Sequence, residues 1–180
     1  RSEDSSSIDE QLFVAISPGQ AVRSGSYDGG PILRLYRDGA LPELITQVQL
    51  PIVVPVAPVL TISSPDLGTS RTASISLGRL EDGSHAEIGF LIDTNIPVSL
   101  RAESENAGKL RHQNGATFIP YRTIVDGKIF DLSAGGASSS IDIAPGSGKN
   151  VLIGIETDPS GGAPAGSYSD TLTLTFSAEG

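Results

Sequence analysis

The sequence predicts an all-β protein, an antiparallel β-sandwich, and three observations carry that expectation. Apolar residues fall in short runs separated by turn signals, with 21 glycines and 12 prolines in 180 residues. Several of these runs alternate apolar and polar residues with the period of two that gives a strand one buried face. No stretch keeps helical spacing with good helix formers over three turns, so almost no helix is expected.

An internal repeat organises the chain. Ser5-Ser6-Ser7-Ile8-Asp9 is followed by Leu12-Phe13-Val14-Ala15-Ile16, a turn at Pro18-Gly19, then Ser24-Gly25-Ser26-Tyr27-Asp28 and Ile32-Leu33-Arg34-Leu35-Tyr36. Ser138-Ser139-Ser140-Ile141-Asp142 is followed in the same order by Val151-Leu152-Ile153-Gly154-Ile155, a turn at Pro159 to Gly162, then Ala165-Gly166-Ser167-Tyr168-Ser169-Asp170 and Leu172-Thr173-Leu174-Thr175-Phe176. Ordered self-similarity of this kind indicates duplicated modules. The second copy closes a run of about ten expected strands, whereas the first copy has nothing before it. Residues 1–43 are therefore expected to be the C-terminal strands of a truncated first module, and 58–180 a complete second module. Because the chain opens on Arg-Ser and holds no Met, it reads as a processed or excised segment.

Between the modules, residues 44–57 form a linker or a donor strand. From Leu44 to Ile62 the even positions are apolar almost without interruption, and Val48, Leu50, Ile52, Val54 and Val56 make the candidate donor-strand face. Pro51 and Pro55 cannot donate ladder hydrogen bonds, which confines this strand to an edge or to a break between sheets. Two readings stand side by side here. One is a plain strand crossing from module to module, and the other is a segment that fills the groove of a module by β-augmentation. Burying five such side chains contributes about 10 kcal/mol before entropy is subtracted.

The second module reads as strands in order. Thr72 to Leu77 alternates, Glu81-Asp82-Gly83 turns into Ala86 to Ile92, and Asn95 and Pro97 punctuate the entry to Val98 to Ala102. Asn106-Ala107-Gly108 and Asn114-Gly115 are further turns, and Phe118 to Val125 is followed by Asp126-Gly127 and Lys128 to Leu132. Turns at such intervals favour a sandwich over a barrel or an α/β fold.

Charge and composition exclude several chemistries. The net charge of −9, with only 12 Lys and Arg and those scattered, is wrong for nucleic acid and for an anionic membrane surface. No run is long and apolar enough to predict membrane insertion. Without cysteine there is no disulfide framework, thiol nucleophile or Cys-ligated zinc. His85 and His112 lie on separate expected strands and read as surface residues, with no G-x-S-x-G elbow or H-E-x-x-H pair. The acidic pairs lack the loop spacing of a calcium site, and Gly146-Ser147-Gly148-Lys149 lacks the full phosphate-loop pattern. No catalytic residue, metal or cofactor is expected, and the chain reads as non-enzymatic. Tyr27 and Tyr168, at equivalent points of the repeat, are expected to pin a sandwich corner through their hydroxyls, with a sugar-stacking surface as the alternative.

Ile75-Ser76-Leu77-Gly78 with Arg79 to Gly83, Ser104 to Leu110, Ile119-Pro120-Tyr121 with Asp126-Gly127, and above all Pro164-Ala165-Gly166-Ser167-Tyr168-Ser169-Asp170-Thr171-Leu172-Thr173-Leu174 resemble the successive signatures of spore coat protein U-like domains. The resemblance covers roughly residues 58–180, and the first 36 residues resemble only the closing signature. That family includes subunits of archaic-class chaperone–usher pili. The resemblance implies a secreted bacterial protein, in the periplasm in transit to the cell surface. Its fold would be an incomplete immunoglobulin-like sandwich completed by a donor strand from a neighbour. The implied partners are other pilus or coat subunits, a periplasmic chaperone and an usher, with self-association. Many family members carry a disulfide near the start of the domain, and this chain has none. The expected function is a structural subunit of a surface fibre or coat that assembles by strand donation; an adhesin module with specificity in its loops is the alternative.

Overall fold

The computed structural model describes Gln11 and residues 13–134, 136–141 and 146–179, which include fourteen strands and no helix. The fold is all-β and antiparallel, in several sheets, as the alternation predicts. Of the repeat, Ser5 to Asp9, Leu12 and Asp142 lie outside the described residues.

The chain first builds a long hairpin. β1 (Gly25–Gly29) pairs with β4 (Ile52–Val56), and β2 (Ile32–Arg37) pairs with β3 (Glu43–Gln49). The single strand expected from Leu44 to Ile62 is thus divided. Its first break falls at Leu50-Pro51, opposite Gly30, where any Cβ would collide with the Leu50 carbonyl. Its last residues form β5 (Leu60–Ser63), which leaves the hairpin and pairs with β6 (Ser84–Thr94). Asn95 ties the two parts together. Its carbonyl accepts from Ser24 N–H (2.9 Å), its amide donates to Ala57 O (3.0 Å), and its Oδ1 accepts from Val59 N–H (2.8 Å).

Two sheets make the sandwich. After β6 come β7 (Val98–Ser104), β8 (Lys109–His112), β9 (Phe118–Val125), β10 (Lys128–Phe130), β11 (Ala137–Ile141), β12 (Lys149–Thr157), β13 (Tyr168–Ser169) and β14 (Leu172–Ala178). The larger sheet runs β13-β8-β9-β12-β6-β5 with β10 beside β9, and the smaller runs β11-β7-β14. Alternate residues of the middle strands meet in one core: Ile88, Phe90 and Ile92 from β6, Val98, Leu100 and Ala102 from β7, Ile119, Tyr121 and Val125 from β9, Val151 and Ile153 from β12. Ile92, Val98, Leu100, Val151 and Ile153 are fully buried.

The turns follow the sequence signals. Asp126 (φ 47°) and Gly127 (φ 77°) both adopt left-handed backbone, the two-residue hairpin turn that matches strand twist. Thr72 to Leu77, by contrast, forms no strand. Its alternation fits a pleated surface, but a ladder needs a second strand, and none of the described strands pairs with it.

Candidate functional site: an open sheet edge

β14 ends the smaller sheet, and only its β7 side is paired among the described residues. The direction of each backbone group follows from two bonds flanking that ladder. Glu105 N–H donates to Thr171 O (3.0 Å), and Glu179 N–H donates to Pro97 O (2.8 Å). Odd-numbered residues of β14 therefore point their N–H and C=O at β7. Leu172, Leu174, Phe176 and Ala178 point theirs at the open edge.

The side chains along this edge are incompletely covered. Leu172, Leu174 and Phe176 pack against the core yet are only half-buried, while Ala102 and Leu100, opposite Leu174 and Phe176 on β7, are fully buried. The Phe176 ring meets Phe90 of β6 with centroids 5.3 Å apart. Other half-buried apolar residues packed on the core also belong to the margins: Leu60 on β5, and Leu77 and Leu80 in the segment before β6. Sheet edges that are not meant to pair carry charge, proline or a bulge. Leu172-Thr173-Leu174-Thr175-Phe176-Ser177-Ala178 has neither charge nor proline, and its register with β7 is unbroken.

The other end of this strand is fastened. Asp170, between β13 and β14, accepts from the Tyr121 hydroxyl (2.7 Å) and the Ser104 hydroxyl through Oδ2, and from the Asn106 N–H (3.0 Å) and Nδ2 (2.8 Å) through Oδ1. Burial and then the bond to Asp170 raise the Tyr121 pKa, so the phenol stays protonated and donates.

The two tyrosines of the repeat make matching bonds. The Tyr27 hydroxyl donates to Arg23 O and the Tyr168 hydroxyl to Pro164 O, each at 2.9 Å and each four residues back. Two residues before each tyrosine stands a glycine of positive φ, Gly25 at 140° and Gly166 at 151°. His112 is not a surface residue as the sequence led one to expect; it is buried beside Tyr168. Its Nδ1 accepts from Asn114 N–H (3.2 Å), which leaves Nε2 to donate to Ala165 O (3.3 Å), and its ring lies 4.7 Å from that of Tyr168. His85 is half-exposed, between Glu87 (3.2 Å) and Glu156 (3.3 Å). Glu105, Arg111, Asn114, Asp170 and neighbours line an open polar cleft of about 450 Å³.

The candidate donor-strand face lies on the hairpin. Val54 stands opposite Tyr27, Val48 opposite Leu33, Ile52 opposite Gly29 and Val56 opposite Gly25, and Leu50 N–H donates to Pro31 O (3.0 Å). Leu33, Leu35, Leu44 and Val48 remain 43–53 % exposed. Because the Leu50 N–H points at the partner strand, Pro51 and Pro55 lie where an N–H would point outward, and their missing donors break no rung of the hairpin. Sequence reasoning singled out this segment and overlooked the β14 edge. The signal was available in an alternating final strand without a single charge.

No protein-family model matches the chain, and no curated protein does. Among solved structures, one similar chain belongs to a chaperone–tip adhesin complex described as vital for synergistic activation of CFA/I fimbriae biogenesis. It is 13% identical with a TM-score of 0.46, over 88% of this chain and 53% of that one. Another belongs to the CsuC–CsuE chaperone–tip adhesion subunit pre-assembly complex from archaic chaperone–usher Csu pili of Acinetobacter baumannii. It is 19% identical with a TM-score of 0.42, over 89% and 62% of the two chains. The chain spans less than two thirds of the length of either.

Proposed function

We propose that the chain is a structural subunit of a secreted bacterial surface fibre or coat, and that its sandwich assembles by accepting a β-strand along β14. The observation that carries this reading is the unprotected edge, where Leu172, Leu174 and Phe176 direct their backbone groups outward while their side chains remain only half-buried against the core. Main-chain bonds to such an edge supply affinity, and the side-chain positions between them supply specificity. The sequence resemblance to spore coat protein U-like domains supports the same reading. On it, the occupant in transit is a periplasmic chaperone and in the fibre a neighbouring subunit, delivered through an usher. The polar cleft lined by Glu105, Arg111 and Asn114 supports a second reading, an adhesin module that binds a polar surface ligand.

Amide hydrogen exchange tests the first reading. In the chain alone, the N–H groups of Leu172, Leu174 and Phe176 should exchange much faster than those of Thr173 and Thr175, which face β7. Adding a peptide of alternating apolar residues should slow the even-numbered set at least tenfold. Even-numbered amides that are already protected, or that stay fast with peptide in excess, sink the proposal.

A further inference from the structure

The repeat supplies a view of the same strand with its edge filled. Aligning Tyr27 with Tyr168 brings together Gly25 and Gly166, Leu33 and Leu174, and Leu35 and Phe176. The correspondence extends to local structure, since both tyrosines bond four residues back at 2.9 Å and both glycines have positive φ. β2 is thus the counterpart of β14. On this alignment Pro31 answers to Leu172.

The edges correspond too. Pro31 C=O accepts from Leu50 N–H, so Pro31, Leu33 and Leu35 direct their backbone groups at β3. Their counterparts Leu172, Leu174 and Phe176 direct theirs at the open edge of β14. The edge that is open in the second repeat is therefore the edge that β3 and β4 occupy in the first. The occupant there is antiparallel, with Thr46 opposite Leu35, Val48 opposite Leu33, Ile52 opposite Gly29 and Val54 opposite Tyr27.

We infer that β14 takes an antiparallel strand in the register that β3 holds on β2. This rests on the strand-acceptor reading above and adds the orientation, the register and the chemistry of the occupant. That occupant is a strand of another polypeptide with a small β-branched residue opposite Phe176, a larger β-branched one opposite Leu174 and a leucine-sized one opposite Leu172. These are the places of Thr46, Val48 and Leu50. Its apolar positions continue past Asp170 to Tyr168, as Ile52 and Val54 do past Gly29 to Tyr27. The chain's own copy of this segment is already paired in the hairpin and is not free to fill β14 as well.

Disulfide trapping tests the register. The chain has no cysteine, so engineered thiols have no competitor. The probe is a synthetic peptide spanning residues 43–56. Thr173 and Thr175 are exposed and face away from the core, and the inferred register sets them opposite peptide positions 49 and 47. Such non-hydrogen-bonded pairs have Cα atoms about 4.5 Å apart, within disulfide reach, and a two-residue slip moves them beyond it. Full-length Thr175→Cys should trap the Gln47→Cys peptide, and Thr173→Cys the Gln49→Cys peptide, at least tenfold faster than the crossed combinations. Faster or equal trapping in the crossed combinations, or none at all, overturns the register. Exchange at the Leu172, Leu174 and Phe176 amides, read on the same samples, separates the two failures. Protection without matched trapping leaves the strand-acceptor reading standing, and no protection removes both.

Discussion

Replacing Asp170 by alanine probes what holds β14 in place. Its half-buried carboxylate takes four donors from three residues. The two from Asn106 sit on a half-exposed turn and find water when the acceptor is removed, so they contribute little to the loss. The Tyr121 hydroxyl has no such recourse, because that residue is only 8% exposed in the core. The Ser104 hydroxyl, also accepting from Gly108 N–H at 2.7 Å, is held in place by the turn. A hydrogen bond to a charged group contributes about 1.5–3 kcal/mol, and a buried donor left unmet adds its own desolvation. Asp170→Ala should therefore cost about 3–5 kcal/mol, seen as a thermal midpoint roughly 10 °C lower. Tyr121→Phe alone should cost about 2 kcal/mol. The double variant should lose at least about 1 kcal/mol less than the sum of the two single losses, since both remove one interaction. Urea denaturation of the four proteins measures this. A loss under about 1 kcal/mol for Asp170→Ala, or strict additivity with Tyr121→Phe, would show that the network is not what fastens the strand.

The same tyrosine gives the protein an alkaline limit. Its pKa is raised in the folded state, so the stability it carries is complete below the unfolded value near 10 and declines above it by up to about 1.4 kcal/mol per pH unit. Denaturation between pH 9 and 12 should show that slope in the wild type and a shallower one in Tyr121→Phe; identical slopes would contradict it. At the repeated glycines, Gly25→Ala meets only the strain of positive φ, because nothing lies near its Cβ position, whereas a Cβ on Gly166 also collides with His112 Nε2. Gly166→Ala should cost about 1–2 kcal/mol more than Gly25→Ala in thermal unfolding, and equal losses would mean that Gly166 is not packed against His112.

Strands and turns were legible because their causes are local. Asp126-Gly127 and Glu81-Asp82-Gly83 announce backbone that only a few residue types adopt, and Gly83 does take φ 84°. Alternation located β6, β7 and β9 to within a few residues because one face of each is buried. Thr72 to Leu77 has the same pattern without a ladder, since alternation records a face and not a partner. The setting of His112 depends on Ala165 and Tyr168, more than fifty residues away, and the Asp170 network joins residues 49 to 66 apart. Neither leaves a local mark. The repeat was legible as Gly-Ser-Tyr, but which edge of each copy is filled became readable only from the direction of single hydrogen bonds.

The filled edge of the hairpin and the open edge of β14 differ in a way that sequence chemistry explains. β3 and β4 fill the edge of β1 and β2, and beyond them Pro51 and Pro55 present no outward N–H, so the hairpin offers a poor template to a further strand along that stretch. A sequence can thus close an edge with two residues at no cost to the ladder inside it. β14 has four residues whose donors point outward, and at each of them the sequence places an ordinary donor: Leu172, Leu174, Phe176 and Ala178. Proline at Ala178 would spare every bond to β7, because only the odd-numbered residues are bonded there. The means of closing this edge was therefore available at small structural cost, and the same chain uses it elsewhere. An edge left open, uncharged and backed by half-buried leucines is a liability in isolation and an asset only when another strand completes it.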